Sequence, residues 1–387
     1  MNKNRHRTVF SKRLGMLVAV GEHAKSVGRG NGQAKRVGCG ASVRAVSGIN
    51  IKVVVLAVLC ALAQYAAPAF AQPSISYTGS VTPPPPSGVA DWDNSGSDVT
   101  VGNNGGGTLE IRDGGKVTTD ALYIGRGNGY NPASVTVDGT GSTLVLSNGT
   151  LTMGNSSGDS SALTVSNGGY VDVHGDAHFY PVVGDSPGSS GHITVTGQGS
   201  TLNAHDGTIL LGFGGDGDLT ISDGGKVAGY QLIAGDWQGS SVISISGKGS
   251  AWNGQNGVFI GLQGSGRLDL YDGGSINDES LDIASYPGAT GVVNVGGGDG
   301  QPAKAAGNLN VDWIKFGRHG ASSGGTLNFN TTDGLTVRAN ISSGTAGAGT
   351  INQVAGTTVF TGDDSGFSGI TNVKGGTLLL GNGSKLG

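Results

Sequence analysis

The sequence predicts an all-β protein, a right-handed parallel β-helix in which the chain winds into coils of three short strands each. Three observations support this prediction. Glycine supplies 76 of the 387 residues, and the apolar runs after residue 98 are only three to five residues long. Most of these runs alternate with polar residues, as half-buried strands do. An 11-residue phrase also returns at a nearly constant interval, which indicates a solenoid or array.

The repeated phrase first appears as GTLEIRDGGKV at residues 107–117. Its first leucine recurs at spacings of 54, 56, 49, 59 and 51 residues, at Leu109, Leu163, Leu219, Leu268, Leu327 and Leu378. A second phrase lies between the copies, at residues 134–144, 192–202 and 241–252. Each repeat therefore contains about six strands, and stacking each strand on its equivalent one coil back satisfies the backbone hydrogen bonds. With three strands in a coil, the body forms roughly 11 coils of about 27 residues.

A tripeptide of Asp or Asn followed by two glycines ends the first strand of the phrase. Its members are Asp113, Gly114, Gly115, Asn167, Gly168, Gly169, Asp223, Gly224, Gly225, Asp272, Gly273 and Gly274. A coil corner needs positive φ angles, which Asn, Asp and Gly adopt at the lowest cost. Because the tripeptide recurs with the phrase, we assign these residues to structural turns and not to catalysis.

An antiparallel sandwich or a propeller is the alternative all-β fold. Propeller blades near this length carry aromatic marks at a fixed position of the repeat. The four tryptophans share no such position; they are Trp92, Trp237, Trp252 and Trp313. Their placement therefore favours the β-helix.

The charge of the chain is divided unevenly between two segments. Residues 1–71 hold 11 Lys and Arg and one acid, a net charge of +10, whereas residues 72–387 hold 12 Lys and Arg and 26 acids, a net charge of −14. All the later acids except Glu110 and Glu279 are Asp, which favours turns over helix interiors. The overall charge of −4 also disfavours a nucleic-acid-binding protein.

The basic N-terminal segment has the order of a secretory signal. Lys52 is followed by the apolar run VVVLAVLCALA at residues 53–63, which is about half the length of a membrane span. Small residues, Ala69 and Ala71, then precede Gln72 at the two positions that signal peptidase inspects. Both cysteines, Cys39 and Cys60, fall within the segment that cleavage would remove, so the exported chain would have no disulfide.

The stretch before the apolar run is far longer than an ordinary signal requires. Residues 1–25 read MNKNRHRTVFSKRLGMLVAVGEHAK. They resemble the extended signal peptide region of type V secretion proteins, the autotransporters of Gram-negative bacteria. That family usually has Trp where Phe10 stands and Ser where Gly21 stands, and the stretch Ser26–Asn50 is long for it. The resemblance implies export through the inner membrane.

The C-terminal part carries a second resemblance to the same family. Residues 356–380, GTTVFTGDDSGFSGITNVKGGTLLL, resemble the passenger-associated transport repeat, and the preceding phrases resemble autotransporter passenger repeats. We therefore divide the chain into an extended signal peptide (1–71), a linker or N-terminal cap (72–98) and β-helical passenger repeats (99–387), with the transport repeat at 356–387.

In the resembled family, a membrane β-barrel follows the passenger. Since this sequence ends at Gly387 without barrel-like strands, we expect a fragment, a truncated product or half of a split system. The implied partners are the secretion machinery and an outer-membrane β-barrel that this chain lacks. The expected location is the periplasm, then the cell surface or outer membrane if the chain is joined to a barrel; otherwise the protein is secreted or periplasmic.

Residues with catalytic or metal-ligating chemistry are scattered. The pair Asp216 and Asp218 lies in one unit that resembles a calcium-binding nonapeptide, but such sites need tandem units. His174 and His178 are separated by Gly175 and Asp176, which argues against one helix presenting both. Asp363–Asp364 is a carboxylate pair on a loop. We therefore expect no catalytic residue, no cofactor and no metal site.

The resemblance implies a non-enzymatic, adhesin-like surface protein or a structural stalk. Its specificity should reside where the repeats differ, in the loops Tyr180–Ser190, Asp236–Ser240, Tyr286–Thr290 and Gly298–Gly307. The expected binding partners are glycans or proteins of host or bacterial surfaces, not nucleic acid. The alternative function is a β-helical polysaccharide-acting enzyme, which would gather three or more Asp around a groove.

We predict that signal peptidase cleaves between Ala71 and Gln72, because small residues occupy the two inspected positions after an apolar run. N-terminal sequencing of the periplasmic form checks this prediction. A periplasmic chain that still begins at Met1 would contradict it.

Overall fold

The computed structural model describes residues 6–11, 16–21, 71–127, 132–174, 181–320, 324–344 and 346–381. It consists of two units, residues 1–69 and 70–387. In the first unit, β1 (His6–Ser11) pairs antiparallel with β2 (Met16–Gly21). The apolar run at 53–63 and Ala69 lie outside the described residues, whereas Ala71 and Gln72 are exposed.

The second unit consists of short strands and turns over its described residues. Its first strands are β3 (Ser74–Gly79), β4 (Val81–Thr82), β5 (Asp91–Asn94), β6 (Val99–Val101), β7 (Gly107–Arg112), β8 (Lys116–Ile124), β9 (Pro132–Asp138), β10 (Thr143–Met153), β11 (Ser160–Ser166), β12 (Tyr170–Val173), β13 (Pro181–Val183), β14 (Ser190–Thr196), β15 (Thr201–Asn203) and β16 (Thr208–Leu211). The later strands are β17 (Asp216–Ser222), β18 (Lys226–Ala228), β19 (Gln231–Ala234), β20 (Ser240–Ser246), β21 (Ala251–Asn253), β22 (Val258–Ile260), β23 (Ser265–Tyr271), β24 (Ser275–Ile283), β25 (Thr290–Gly296), β26 (Asn308–Phe316), β27 (Gly325–Val337), β28 (Asn340–Ser343), β29 (Thr350–Phe360), β30 (Ile370–Val373) and β31 (Thr377–Leu380). Nothing helical in the described ranges has the length and hydropathy of a membrane span.

The strands stack in parallel, so the second unit is a β-solenoid of about ten coils. Each coil gives one strand to a first sheet, which runs from β7 through β9, β11 and β14 to β29. The coil's other two strands, or two halves of one longer strand, join a second sheet. The predicted parallel β-helix with three strands per coil is confirmed. The coils number about ten, close to the roughly 11 expected for residues 99–387.

The sequence repeat corresponds to two coils. Leu109 of the first phrase pairs with Val135 of the second phrase, and Val135 pairs with Leu163 of the next copy, all within the first sheet. The two phrases therefore occupy the same sheet in alternate coils. Coil length is not constant: the coil from Ile351 to its partner Thr371 is short, whereas the coil from Val293 to its partner Leu327 is long.

Inward-facing side chains form one continuous apolar core along the solenoid. Strands of the first sheet alternate buried and partly exposed residues, as in β7, where Leu109 and Ile111 are fully buried. The largest fully buried side chains are Trp252, Phe316, Phe329, Phe360 and Phe367. Each buried Leu or Ile stabilises the fold by about 1.5–3 kcal/mol. The core thus runs from coil to coil without a break.

Residues 72–98 cover the first coil. β3 pairs antiparallel with β7, β4 pairs antiparallel with β6, and β5 pairs in parallel with β8. Trp92 of β5 is buried in the core. At the other end, the described part of the segment that resembles the transport repeat forms the end of β29 together with β30 and β31.

The Asp-Gly-Gly tripeptides form the first corner of their coils, between the first-sheet strand and the second strand. At Asp223 and Gly224 the φ angles are 53° and 91°, so both residues have the left-handed conformation that the sequence argument expects. Gly225 does not have a positive φ. Its constraint is close stacking, because a Cβ there would overlap the carbonyl oxygen of Val195 in the coil below. The third residue of the tripeptide is therefore required to be glycine for a different reason from the second.

Buried serines at alternate first corners bind the corner one coil back. Ser142 Oγ accepts a hydrogen bond from the N–H of Gly114 at 2.9 Å and donates one to the carbonyl of Asp138 at 2.6 Å. Ser200 and Ser250 make the same contact with the tripeptide glycine one coil back. These serines are fully buried, and each satisfies an amide that would otherwise lack a partner.

A ladder of asparagine amides runs along the later coils. Asn372 donates to Asn352 at 3.0 Å, Asn352 to Asn328 at 2.9 Å, and Asn328 to Asn294 at 2.8 Å. The ladder ends where Asn294 donates to the carboxylate of Asp269 at 2.7 Å. The three middle asparagines are buried, so each link satisfies an amide that is shielded from water.

We predict that Gly224→Val lowers the free energy of unfolding by about 1–2 kcal/mol, because a β-branched residue resists a positive φ. Gly225→Val should destabilise as well, through overlap with the coil below. Asp223→Asn is the matched control, because Asn tolerates φ near 53° and keeps an acceptor oxygen. Thermal unfolding checks all three variants. If Asp223→Asn is the most damaging, the carboxylate has a role beyond the turn.

Candidate functional site

In eight successive coils, the third corner, between the third strand and the next strand of the first sheet, begins with one left-handed residue. These residues are Gly125, Gly154, Gly184, Gly212, Gly235, Gly261, Ala284 and Gly317, with φ between 52° and 73°. Backbone hydrogen bonds stack consecutive corners, as from Asp236 N–H to the carbonyl of Gly212 and from Tyr286 N–H to that of Leu262. Side chains that follow the left-handed residue are therefore aligned along one edge of the solenoid.

Four aromatic side chains lie on this edge, and we call them the aromatic row: Phe213, Trp237, Tyr286 and His319. The rings of Phe213 and Trp237 are 5.6 Å apart, and those of Tyr286 and His319 stack at 4.4 Å. Trp237 is 49% exposed and Tyr286 is 36% exposed. The row therefore places partly exposed aromatic side chains along this edge at several coils.

Trp237 has an uncommon backbone conformation for a bulky residue. Its φ is 49°, in the left-handed region that residues with a large side chain rarely adopt. The carboxylate of Asp236 accepts a hydrogen bond from the Trp237 N–H at 2.8 Å, which supports this conformation. Phe213, Asp236, Trp237 and Gln263 together line a surface cavity of about 290 Å³. A strained, exposed Trp beside polar groups is a feature of binding sites.

Three of the four loops singled out in the sequence lie at the third corner. They are Asp236–Ser240, Tyr286–Thr290 and the described part of Tyr180–Ser190, residues 181–190. The fourth, Gly298–Gly307, joins β25 to β26 at the first corner and lengthens that coil. The sequence identifies the loops but not their common edge, because their alignment follows from the stacking of the coils.

A second candidate site lies on the outer face of the second sheet. Asp172 Oδ2 is 2.6 Å from His174 Nε2, and Asp172 Oδ1 is 2.7 Å from His205 Nε2. Tyr170 Oη donates to Asp172 Oδ1 at 3.0 Å. Burial disfavours ionisation of this carboxyl, but the hydrogen bonds from His205, Tyr170 and His174 outweigh it and lower the pKa of Asp172. The three donor residues could hold a metal ion.

Sequence spacing pairs His174 with His178, which lies outside the described residues, and so does not reveal this cluster. His174 and His205 are distant in the chain and meet because β12 pairs with β15, which places Asp172 opposite Asn203. One signal was available. Both histidines follow the second strand of their coil at the same offset, in VDVH and LNAH.

The carboxylate pairs considered in the sequence have structural contacts. Asp218 Oδ1 accepts from the Val242 N–H at 2.9 Å, and the neighbouring His192 imidazole lowers the pKa of Asp218. Asp364 Oδ1 accepts from the Ile341 N–H at 3.2 Å, and Asp363 Oδ1 accepts from Ser365 N–H. These contacts explain the positions of Asp218, Asp363 and Asp364 without a substrate.

A further cavity of about 360 Å³ lies beside the Gly298–Gly307 loop. Its polar lining includes Arg267, Asp269, Asn294 and Lys304. Asp269 pairs with Arg267 at 3.0 Å and accepts the last hydrogen bond of the asparagine ladder. Among the described residues that line this cavity, Asp269 is the single carboxylate.

Residues 1–50 match the family model described as the extended signal peptide of the type V secretion system. The chain has the leader and the β-solenoid of an autotransporter passenger. The matched range extends over Ser26–Asn50. This leader supports export across the inner membrane.

Two curated proteins of Escherichia coli (strain K12) match parts of the chain. The uncharacterized protein YuaQ is 25% identical over 213 residues, 54% of this chain and 15% of that protein. The uncharacterized lipoprotein YdeK is 30% identical over 164 residues, 40% of this chain and 12% of that protein. The chain thus spans under a sixth of the length of either relative. No solved structure matches the chain.

A buried carboxylate beneath the third corner yields a pH-dependent prediction. Asp282 is fully buried, its Oδ2 accepts from Ser280 Oγ at 2.7 Å, and its Oδ1 has no hydrogen-bond partner among the described residues. Burial raises the pKa of Asp282, against smaller opposing effects of Ser280 and Arg318. A raised folded-state pKa means that ionisation favours unfolding. Stability is therefore lost as the pH rises from the unfolded-state pKa, about 3.9, through the folded-state pKa.

We predict that Asp282→Asn raises the melting temperature at pH 7 and changes it little below pH ~3, where the carboxyl is neutral in both states. Asp312→Asn, which alters an exposed carboxylate, is the control and should have little effect at either pH. Thermal unfolding at the two pH values checks the prediction. An equal change at both pH values would show that ionisation is not the cause.

Proposed function

We propose that this chain is the exported passenger of a type V secretion protein and acts as an adhesin-like rod that binds surface glycans. The observation that carries the proposal is the aromatic row, Phe213, Trp237, Tyr286 and His319, held along one edge of a rigid solenoid. The extended signal peptide supports export, which would bring this edge into contact with other cells.

The chemistry around Trp237 fits a sugar ring. An aromatic face carries negative charge density and attracts the weakly positive C–H groups on one face of a pyranose. The carboxylate of Asp236 and the amide of Gln263 line the same cavity and can bond to sugar hydroxyls. A ring face combined with a few polar groups is the usual composition of a small-ligand site.

The spacing of the row favours a chain of sugars over a single one. Corners of consecutive coils are stacked, and coils rise by about 4.8 Å each. Trp237 and Tyr286 are two coils apart, so their rings are separated by roughly 10 Å along the edge. Several weak contacts to one polymer add up to strong attachment when the surface is rigid.

The proposed activity is binding without turnover. A β-helical polysaccharide-acting enzyme is the alternative, and glycoside hydrolysis generally uses two carboxylates that flank one bond. Of the described residues that line the cavity at Trp237, Asp236 is the single carboxylate. This arrangement supports binding over hydrolysis at the aromatic row.

The proposed final location is the cell surface or outer membrane, reached with an outer-membrane β-barrel and the secretion machinery as partners. Without a barrel, the protein would be secreted or remain periplasmic. If the aromatic row has no ligand, the protein is a purely structural stalk.

A glycan array probed with the purified protein tests the proposed function. We expect binding to a polysaccharide that Trp237→Ala weakens about tenfold, the effect of losing one well-packed aromatic contact. Trp313→Ala is the matched control, because Trp313 is 40% exposed but lies on β26, away from the row. Circular dichroism verifies that both variants keep their strand content.

Two results would overturn the proposal. If Trp313→Ala weakens binding as much as Trp237→Ala, the row is not the binding surface. If the protein releases new reducing ends from a bound polysaccharide and one Asp substitution abolishes this release, the protein is the enzyme of the alternative.

A further inference from the structure

The cluster of Asp172, His174 and His205 offers a donor set that protein chemistry associates with metals. One ligand atom from each residue lies within 4.8 Å of the other two. Two imidazole nitrogens and one carboxylate oxygen form a common set for Zn²⁺ and related ions. Ca²⁺ and Mg²⁺ prefer oxygen ligands alone, so this set selects against them.

The surrounding structure holds the three donors in place. Tyr170 Oη bonds to Asp172 Oδ1, and the side chain of Asp172 is only 14% exposed. The backbone N–H of His205 donates to Asn203 Oδ1 at 3.2 Å, which supports a left-handed φ of 49° at His205. The rings of His174 and His205 stack with centroids 4.4 Å apart. Neighbouring groups that orient ligands in this way are typical of metal sites.

We propose that Asp172, His174 and His205 form a binding site for a divalent transition-metal ion of the Zn²⁺ type, with the remaining coordination position open to solvent. This assignment replaces the expectation from the sequence that the chain has no metal site. It is independent of the aromatic row, because it lies on the second sheet and uses other residues.

The distances leave room for an ion with a small adjustment. Donors about 2.0–2.1 Å from a tetrahedral ion are about 3.3 Å from one another. His174 Nε2 is 2.6 Å from Asp172 Oδ2 and His205 Nε2 is 2.7 Å from Asp172 Oδ1, so an imidazole that shares an ion with its nearest carboxylate oxygen has to withdraw by roughly 0.6–0.7 Å. His174 is 51% exposed and His205 is 37% exposed, which allows both rings to shift toward solvent.

The ion would join two coils. Asp172 and His174 belong to the coil of β12, whereas His205 follows β15 of the next coil. A ligand that binds the folded state alone stabilises it in proportion to the logarithm of its concentration. The cysteine-free part of the chain would thereby gain a cross-link between coils without a disulfide.

Calorimetric titration of the purified protein with Zn²⁺, accompanied by thermal unfolding, tests the site. We expect saturable binding and a higher melting temperature with Zn²⁺, reversed by a chelator, and no such effect with Ca²⁺. The double variant His174→Gln/His205→Gln should bind Zn²⁺ at least about tenfold more weakly. His192→Gln is the matched control, because His192 is also exposed and faces a carboxylate, Asp218, at 3.8 Å.

A second measurement uses the unaltered protein and does not depend on the variants folding. Zn²⁺ should protect His174 and His205 from acylation by diethyl pyrocarbonate, as mapped by mass spectrometry, and should leave His192 and His319 reactive. The proposal is overturned if neither histidine of the cluster is protected, or if the double variant retains the Zn²⁺ affinity and the thermal shift.

Discussion

Parallel, nearly in-register hydrogen bonding between coils is the constraint on which the rest of this protein depends. Leu109 lies opposite Val135, and Val135 lies opposite Leu163. The position of every other residue in these coils then follows from the number of residues that separate it from these pairs. Apolar residues then stack into one core, and glycines are needed where corners touch. Asparagines such as Asn328 and Asn352 also align as a ladder for this reason. The local pattern of each strand and corner is thus consistent with the stacking of the whole solenoid.

Both candidate sites are products of the same stacking. The aromatic row exists because successive third corners leave the sheet through a left-handed residue, so Trp237 and Tyr286 emerge on one edge. The cluster of Asp172, His174 and His205 exists because the two histidines follow equivalent strands of adjacent coils. In a solenoid, residues far apart in sequence become neighbours without any long-range loop. Functional surfaces can therefore arise from substitutions at equivalent positions of successive coils.

The sequence was sufficient to predict the fold but not the two candidate sites, and the difference has a physical reason. Alternating residues such as Leu109 and Ile111, and turn residues such as Asp113, act locally, so their pattern is visible in one stretch of chain. The cluster at Asp172 depends on which residue lies one coil away. Because coils differ widely in length, an average period cannot identify that partner. The close approach at Gly225 likewise depends on the coil below.

The N-terminal cap affects whether the end of one solenoid can pair with a second copy. An exposed coil edge is a template on which a second copy could add its own strands, which would extend the solenoid into a fibril. Here β3 and β4 run against the direction of the coils, whereas β5 runs with it. The three strands of a coil from a second copy cannot all form parallel pairs with the cap, because two of the three cap strands run in the opposite direction. At this end of the solenoid, the cap therefore disfavours the addition of a second copy.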